Sequence, residues 1–302
     1  MLFILIIVFL FLLIIPITRC ILFHLPQYLY FRTKDLYEWF FRYKCNLAQH
    51  LGVRIFIANS QQAMRSGKTL SMVNYVINYY NQYNNKTILV NNEKKIQKII
   101  IISNINIPCL PCLRFTTFEQ LNTWFDLKQE LEEKDKNSCY KCLFVIDEIS
   151  AVCNNRQYKQ NFNIANIASL VQMGHLDILG VLGSAQRFTL CDALLRQITD
   201  YCVTSRLLGL FEWKKRICVN NYYLGHDLEE AQNDLLIKPI KCDIKFLYDK
   251  NYNCYNTKEI ATMLTHSKDF LSSSEVLQNL NLHSDNIQQH NLKNKYKKKM
   301  QK

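Results

Sequence analysis

Hydrophobic positions along this chain fall into short, nearly unbroken runs separated by stretches of helical period, the pattern of alternating strands and helices. The runs at 53–58 (Val-Arg-Ile-Phe-Ile-Ala), 99–102 (four isoleucines) and 142–146 (Cys-Leu-Phe-Val-Ile) are the clearest. Runs of this kind predict strands buried on both faces, as in a parallel sheet. Those at 178–182 and 203–207 extend the set. Between the first two, Leu70, Val73, Val76, Ile77 and Tyr80 recur at helical spacing. Helices are also expected over 118–131, around 164–173 and over 190–198. From 211 to 254 the runs shorten, and those at 215–219, 240–242 and 246–248 read as strands whose pairing the weak alternation leaves open. Beyond 260 the chain is rich in Asn, Gln, Ser, His and Lys. Such a composition cannot bury an apolar core and predicts disorder. No internal repeat is visible.

The first eighteen residues carry no charged side chain and are almost wholly Leu, Ile, Phe and Val. That is about the length needed to cross the hydrocarbon of a bilayer. A cleaved signal peptide is the rival, but its basic leading region is missing. Arg19, Arg32, Lys34, Arg42 and Lys44 follow the segment. The positive-inside bias then predicts an N-out, single-pass anchor with the bulk of the chain in the cytoplasm. The aromatic and basic stretch 20–50 suits a juxtamembrane helix at headgroup level, with a helix packed on the globular core as the alternative. The expected organisation is therefore an anchor over 1–19, this juxtamembrane segment, an α/β domain over 51–210, a β-rich extension over 211–260, and a Lys-rich tail over 261–302.

Composition changes this picture in two places. The 302 residues have room for one sizeable α/β domain plus appendages. A formal charge of +12 favours an anionic partner, nucleic acid or a membrane surface. Much of that excess is local, because Lys293, Lys295, Lys297, Lys298, Lys299 and Lys302 crowd the end. Cysteine is abundant, with twelve residues, and two pairs stand at C-x-x-C spacing: Cys109 with Cys112, and Cys139 with Cys142. Such pairs can hold zinc, or can serve as small buried apolar side chains.

Two motifs carry chemistry. Arg65-Ser66-Gly67-Lys68-Thr69 stands between the 53–58 strand and the helix that begins near Leu70. Strand, glycine turn and helix N-terminus together form an anion seat, to which Lys68 adds a positive charge. Thr69 can offer its hydroxyl to a Mg²⁺ ion that bridges two phosphates of ATP. The full phosphate-loop pattern has a glycine where this chain has Gln62. The second motif is the 142–146 run ending in Asp147-Glu148. A buried strand with two acids at its C-terminal end places Asp147 for the Mg²⁺ shell and Glu148 for polarising a water. A surface turn and a surface Asp-Glu pair are the bland readings of each motif alone; their order and strand-end positions favour phosphate chemistry. A chain using ATP faces the cytoplasm, where thiols stay reduced. Gln186, at the end of the next core strand, stands where it can sense a γ-phosphate or its attacking water, or make an ordinary loop hydrogen bond.

In this order the motifs resemble those of the Zot-like assembly ATPases of filamentous phages, within the FtsK/HerA group of P-loop NTPases. The resemblance covers about 53–259. It rests on Ser66-Gly67-Lys68-Thr69-Leu70, on 143–148 with Asn155-Arg156 following, on Gln186 with Arg196 ten residues later, and on Tyr252-Asn253-Cys254-Tyr255-Asn256-Thr257-Lys258-Glu259. It implies an α/β fold with a mostly parallel RecA-like sheet, here preceded by one transmembrane helix. It further implies a homo-oligomeric ring that binds ATP and Mg²⁺. Arg65, Ser66, Gly67, Lys68, Thr69 and Asp147 would bind the nucleotide, Glu148 and Gln186 would act in hydrolysis, and Arg196, or else Arg187, would reach across as a finger. The implied partners are phage or viral DNA, the host inner membrane, and coat or channel proteins. The chain departs from that family at Gln62, in the length of 174–186, which leaves the alignment of His175 open, and in carrying its apolar segment before the ATPase region. A packaging motor of a non-filamentous virus, a conjugative-type DNA pump, and a non-catalytic scaffold with a decayed P-loop are the alternatives.

Overall fold

The structure, a computed structural model, describes residues 24–58, 66–115, 119–152, 170–209, 215–230 and 237–254. The expected anchor over 1–19, Gln62, Arg65, Asn155-Arg156, most of the helix expected around 164–173 and the tail lie outside the described residues. Among the described residues, no helix is long and apolar enough to cross a membrane.

The chain divides into two units. The first comprises 1–47 with 87–95, and the second comprises 48–86 with 96–302. In the first, helix α1 (Leu25–Phe41) begins with proline in its first turn, where the missing N–H costs nothing. It leads into a single 3₁₀ turn at Lys44–Asn46. The 87–95 segment turns strand β2 (Lys86–Val90) into β3 (Glu93–Ser103) through Asn91 and Asn92, both at positive φ. That pair of left-handed residues is the mark of a tight hairpin turn.

The second unit is organised on a sheet. Its strands are β1 (Gly52–Ala58), β3, β4 (Cys112–Arg114), β5 (Ser138–Ile146), β6 (Ile178–Ala185), β7 (Thr199–Leu208), β8 (Ile217–Leu224) and β9 (Lys241–Phe246). From β3 the order runs β3-β5-β6-β1-β7-β8-β9, and β4 also pairs with β3. The pairs from β3 to β7 are parallel, whereas β7–β8 and β8–β9 are antiparallel. The sheet is thus mixed: parallel from β3 to β7, as expected of a mostly parallel sheet, and antiparallel beyond β7. The cause is the connection: only eight residues separate β7 from β8, too few for the crossover a parallel return needs.

Alternation explains the two-sided core. On β1, Val53, Ile55 and Ile57 enter one cluster with Leu121, Trp124 and Leu131 of helix α3 (Glu119–Lys134). Phe56 enters the other, with Met72, Val73, Val76 and Tyr79 of helix α2 (Lys68–Tyr83). The four isoleucines at 99–102 of β3 and the 142–146 run of β5 divide between the same clusters residue by residue. With both faces covered, these strands show no polar side, which is why they read as continuous runs.

Other elements differ from expectation in extent. The helix expected over 190–198 is a 3₁₀ turn at Phe188–Leu190 followed by α5 (Ala193–Gln197). Asp192 accepts a hydrogen bond from the Leu194 N–H at 2.8 Å and so starts the helix late. The end of the 240–242 run and the start of the 246–248 run fall in a single strand, β9; the chain leaves it after Phe246, and the Leu247 N–H turns to the Arg216 carbonyl at 2.7 Å. The remaining short helices are α4 (Ile149–Val152), α6 (Gly225–Glu230) and α7 (Asp249–Tyr252).

The cysteine pairs take different places. Cys139 and Cys142 are three residues apart on β5, which puts their side chains on opposite faces of the strand, and Cys142 belongs to the core. One ion cannot take both. Among the described residues, no group of three or more His, Cys, Asp or Glu side chains is placed to hold a metal ion.

Candidate functional site

The site forms where β1, β5 and β6 end together. The parallel register sets Ile146 of β5 against Gly183 of β6, and Ile57 of β1 against Ala185. This puts the three strand ends, with Asp147 and Glu148 after β5 and Gln186 after β6, on the same rim. Ligands of open parallel sheets collect at such a rim, outside the carboxyl ends of the strands.

Helix α2 starts there. Gly67 is its N-cap residue, in the left-handed region at φ 88°. A Cβ on Gly67 would lie 2.6 Å from Cγ of Leu207, so conformation and close packing both demand glycine. The Ser66 hydroxyl, on a residue 1% exposed, has no hydrogen-bond partner among the described residues. An orphaned hydroxyl, the open N–H groups of a helix's first turn and a lysine there are together a seat for phosphate oxygens.

Lys68 Nζ forms an ion pair with Oε1 of Glu148 and lies 3.3 Å from the Ser184 hydroxyl. Thr69 Oγ1 donates to Oδ1 of Asp147 at 2.8 Å. Ser184, fully buried on β6, donates its hydroxyl to that same Oδ1 and accepts the backbone N–H of Glu148 at 3.0 Å. Gln186 Nε2 donates to Oε1 of Glu148 at 3.0 Å. Glu148 itself stands at φ 51°, a left-handed conformation that is uncommon for a residue with a side chain. Strain of this kind, of order 1–3 kcal/mol, persists where surrounding bonds over-determine it.

Lys68, Thr69, Asp147, Glu148 and Gln186 are thus brought into one connected network, with Ser66 and Gly67 immediately before it in the chain. Arg196 stands half-buried in the last turn of α5, and Arg187 is exposed just after β6. Of the terminal motif, Tyr252 donates its hydroxyl to the Lys215 carbonyl and packs against the cluster of Leu70, Cys218 and Leu247. Asn251 reaches Asn74 of α2 at 2.7 Å. The start of that motif therefore supports the first turns of the lysine-bearing helix.

Two residues escaped the sequence reading. One is Ser184. The other is Asn104, just beyond β3 and 5% exposed, whose Oδ1 accepts the Asp147 N–H at 2.7 Å while its Nδ2 donates to the Asp147 carbonyl at 2.8 Å. The available signal was position: each is a polar residue at the end of a buried run.

The donor set suits Mg²⁺. A hydroxyl and a carboxylate oxygen 2.8 Å apart are hard oxygen ligands, and Mg²⁺ takes one or two protein ligands together with substrate phosphates.

No family model matches the chain, and no curated protein matches it. Solved structures similar to it include the N-terminal domain of zonular occludens toxin from Neisseria meningitidis, at 16% identity and a TM-score of 0.43, covering 68% of this chain and 100% of that one. Another is the genome packaging NTPase B204 from Sulfolobus turreted icosahedral virus 2 in complex with ATP-gammaS, at 11% identity and a TM-score of 0.37, covering 64% of this chain and 96% of that one. A third is EssC (ATPases 2 and 3) from Geobacillus thermodenitrificans, at 11% and 0.36, covering 79% of this chain but 44% of that one.

Proposed function

We propose that this chain is a membrane-anchored ATPase that drives assembly and extrusion, or packaging, of phage or viral DNA through the host membrane. The observation that carries the enzymatic part is the closure of Lys68, Thr69, Asp147 and Glu148 into one network at the carboxyl ends of three strands. The first turn of α2 and Lys68 bind the β- and γ-phosphates of ATP. Thr69 and Asp147 would hold Mg²⁺, which would supply charge neutralisation. Glu148 orients the attacking water and takes its proton as the γ-phosphoryl group passes to water and ADP leaves. Gln186, bonded to Glu148, couples that carboxylate to the state of the γ-phosphate. Arg196 serves a neighbouring copy in a homo-oligomeric ring.

The membrane part rests on sequence: the uncharged apolar segment 1–18, with basic residues after it, anchors the chain in the host inner membrane and leaves the ATPase region in the cytoplasm. DNA as cargo, with coat or channel proteins as partners, rests on the motif resemblance. The test is phosphate release by the full chain in detergent, beside Lys68→Ala and Glu148→Gln. Turnover in the wild type alone supports the enzyme; equal rates in all three leave a non-catalytic scaffold.

A further inference from the structure

Helix α1 is apolar over most of its circumference, yet none of its seventeen residues is buried. At 100° per residue, Leu25, Leu29, Leu36 and Phe40 fall on one line. They are 41%, 53%, 51% and 67% exposed. Tyr28 and Trp39 border this line on one side, Tyr30 and Tyr37 on the other, all of them exposed. Opposite lie Gln27, Lys34 and Glu38 with Phe31 and Phe41 among them, Asp35 stands beside Tyr28, and Glu38 pairs with Lys44. A Leu/Phe centre with Tyr and Trp flanks, and three of the four charged side chains away from that centre, match the depth profile of a bilayer surface. Arg32, near the apolar line, is long enough to lift its guanidinium to the headgroups.

We infer that α1 lies flat in the headgroup region of a lipid bilayer, apolar line inward, as a second membrane contact beside the proposed anchor. Two observations choose lipid over protein. The 23 residues that precede the described chain include eighteen uncharged, mostly apolar ones, which deliver the chain to α1 from a bilayer. Basic residues also bracket the helix, with Arg19 before it and Arg42 after it, complementing anionic headgroups. At seventeen residues and about 26 Å, with four charged side chains, α1 is suited to lying on a membrane rather than spanning one.

This inference rests on the membrane reading above, and its test involves no nucleotide. The full chain is reconstituted in phosphatidylcholine/phosphatidylglycerol vesicles whose acyl chains carry bromine near the headgroup or near the bilayer centre. The contribution of Trp39 to fluorescence is isolated by subtracting Trp39→Phe. Quenching of that component by shallow bromine at least twofold stronger than by deep bromine is expected. It should persist in Lys68→Ala and vanish in Leu29→Asp/Phe40→Asp, while carbonate-resistant association through 1–18 persists. Equal emission with and without bromine would assign the face to a second copy or another protein and overturn the proposal. Stronger quenching by deep bromine would also overturn it, and failure of the chain to float with vesicles would remove both membrane contacts.

Discussion

The side-chain amide of Asn104 bonds both backbone groups of Asp147, at 2.7 and 2.8 Å. The regular β3–β5 ladder ends at Ser103 opposite Val145. Asn104 continues it with a side chain, so the peptide carrying the Mg²⁺-side carboxylate is held as firmly as a strand residue. Asn104→Ala should leave two part-buried backbone groups unpaired, costing about 1–3 kcal/mol of stability. If the chain turns over ATP, kcat should fall more than the affinity for a non-hydrolysable analogue. Calorimetry with steady-state kinetics reads both, and an unchanged kcat would reduce Asn104 to a structural bond.

Ser184 is bonded to the lysine and to both acidic residues of the site. Ser184→Ala removes three polar contacts and only one heavy atom. Its predicted effect is a kcat loss of about tenfold or more beside a stability loss of about 1–3 kcal/mol from the groups left unpaired. A large stability loss with unchanged turnover per folded molecule would contradict this.

Gly67 tolerates no side chain for two separable reasons. Gly67→Ala meets Leu207 and is strained by about 1–2 kcal/mol at positive φ. Leu207→Ala in the same chain relieves the contact but not the strain. The double variant should therefore regain only part of the thermal stability lost by Gly67→Ala, and full recovery would show that φ does not matter there.

Burial pushes the Cys112 and Cys191 thiols up to about 12, and Cys142 well above the ordinary thiol value. Their folded pKa lies above the unfolded one, so their contribution is complete below about pH 8.5 and is lost as pH rises toward 12. Urea midpoints should fall from pH 8 to pH 10.5. They should fall less steeply in Cys191→Ala, measured against that variant's own value at pH 7.

The parallel block was legible because its strands are buried on both faces, so apolar runs such as 99–102 and 142–146 mark them without ambiguity. The acidic motif was legible because it follows such a run directly, and the phosphate loop because it stands between such a run and a segment of clear helical period. Asn104 and Ser184 were not, because their roles depend on which strand end meets which, and a single sequence does not state register. Strand β2 and the start of β3 were missed for another reason. Lys86, Glu93, Lys94 and Lys95 obscure the apolar alternation there, and the turn signal lay in Asn91-Asn92. The acyclic text of 211–254 hid the antiparallel return, since the facing ends of two short runs, with Asp243 and Lys245 between them, fall in one strand.

Equilibrium binding of a non-hydrolysable ATP analogue to the full chain, with and without Mg²⁺, tests the phosphate site most directly. Saturable binding strengthened by Mg²⁺ is expected in the wild type, with Lys68→Ala losing binding and Thr69→Ala losing the Mg²⁺ dependence. Binding that is absent from the wild type, or indifferent to both substitutions, would contradict it.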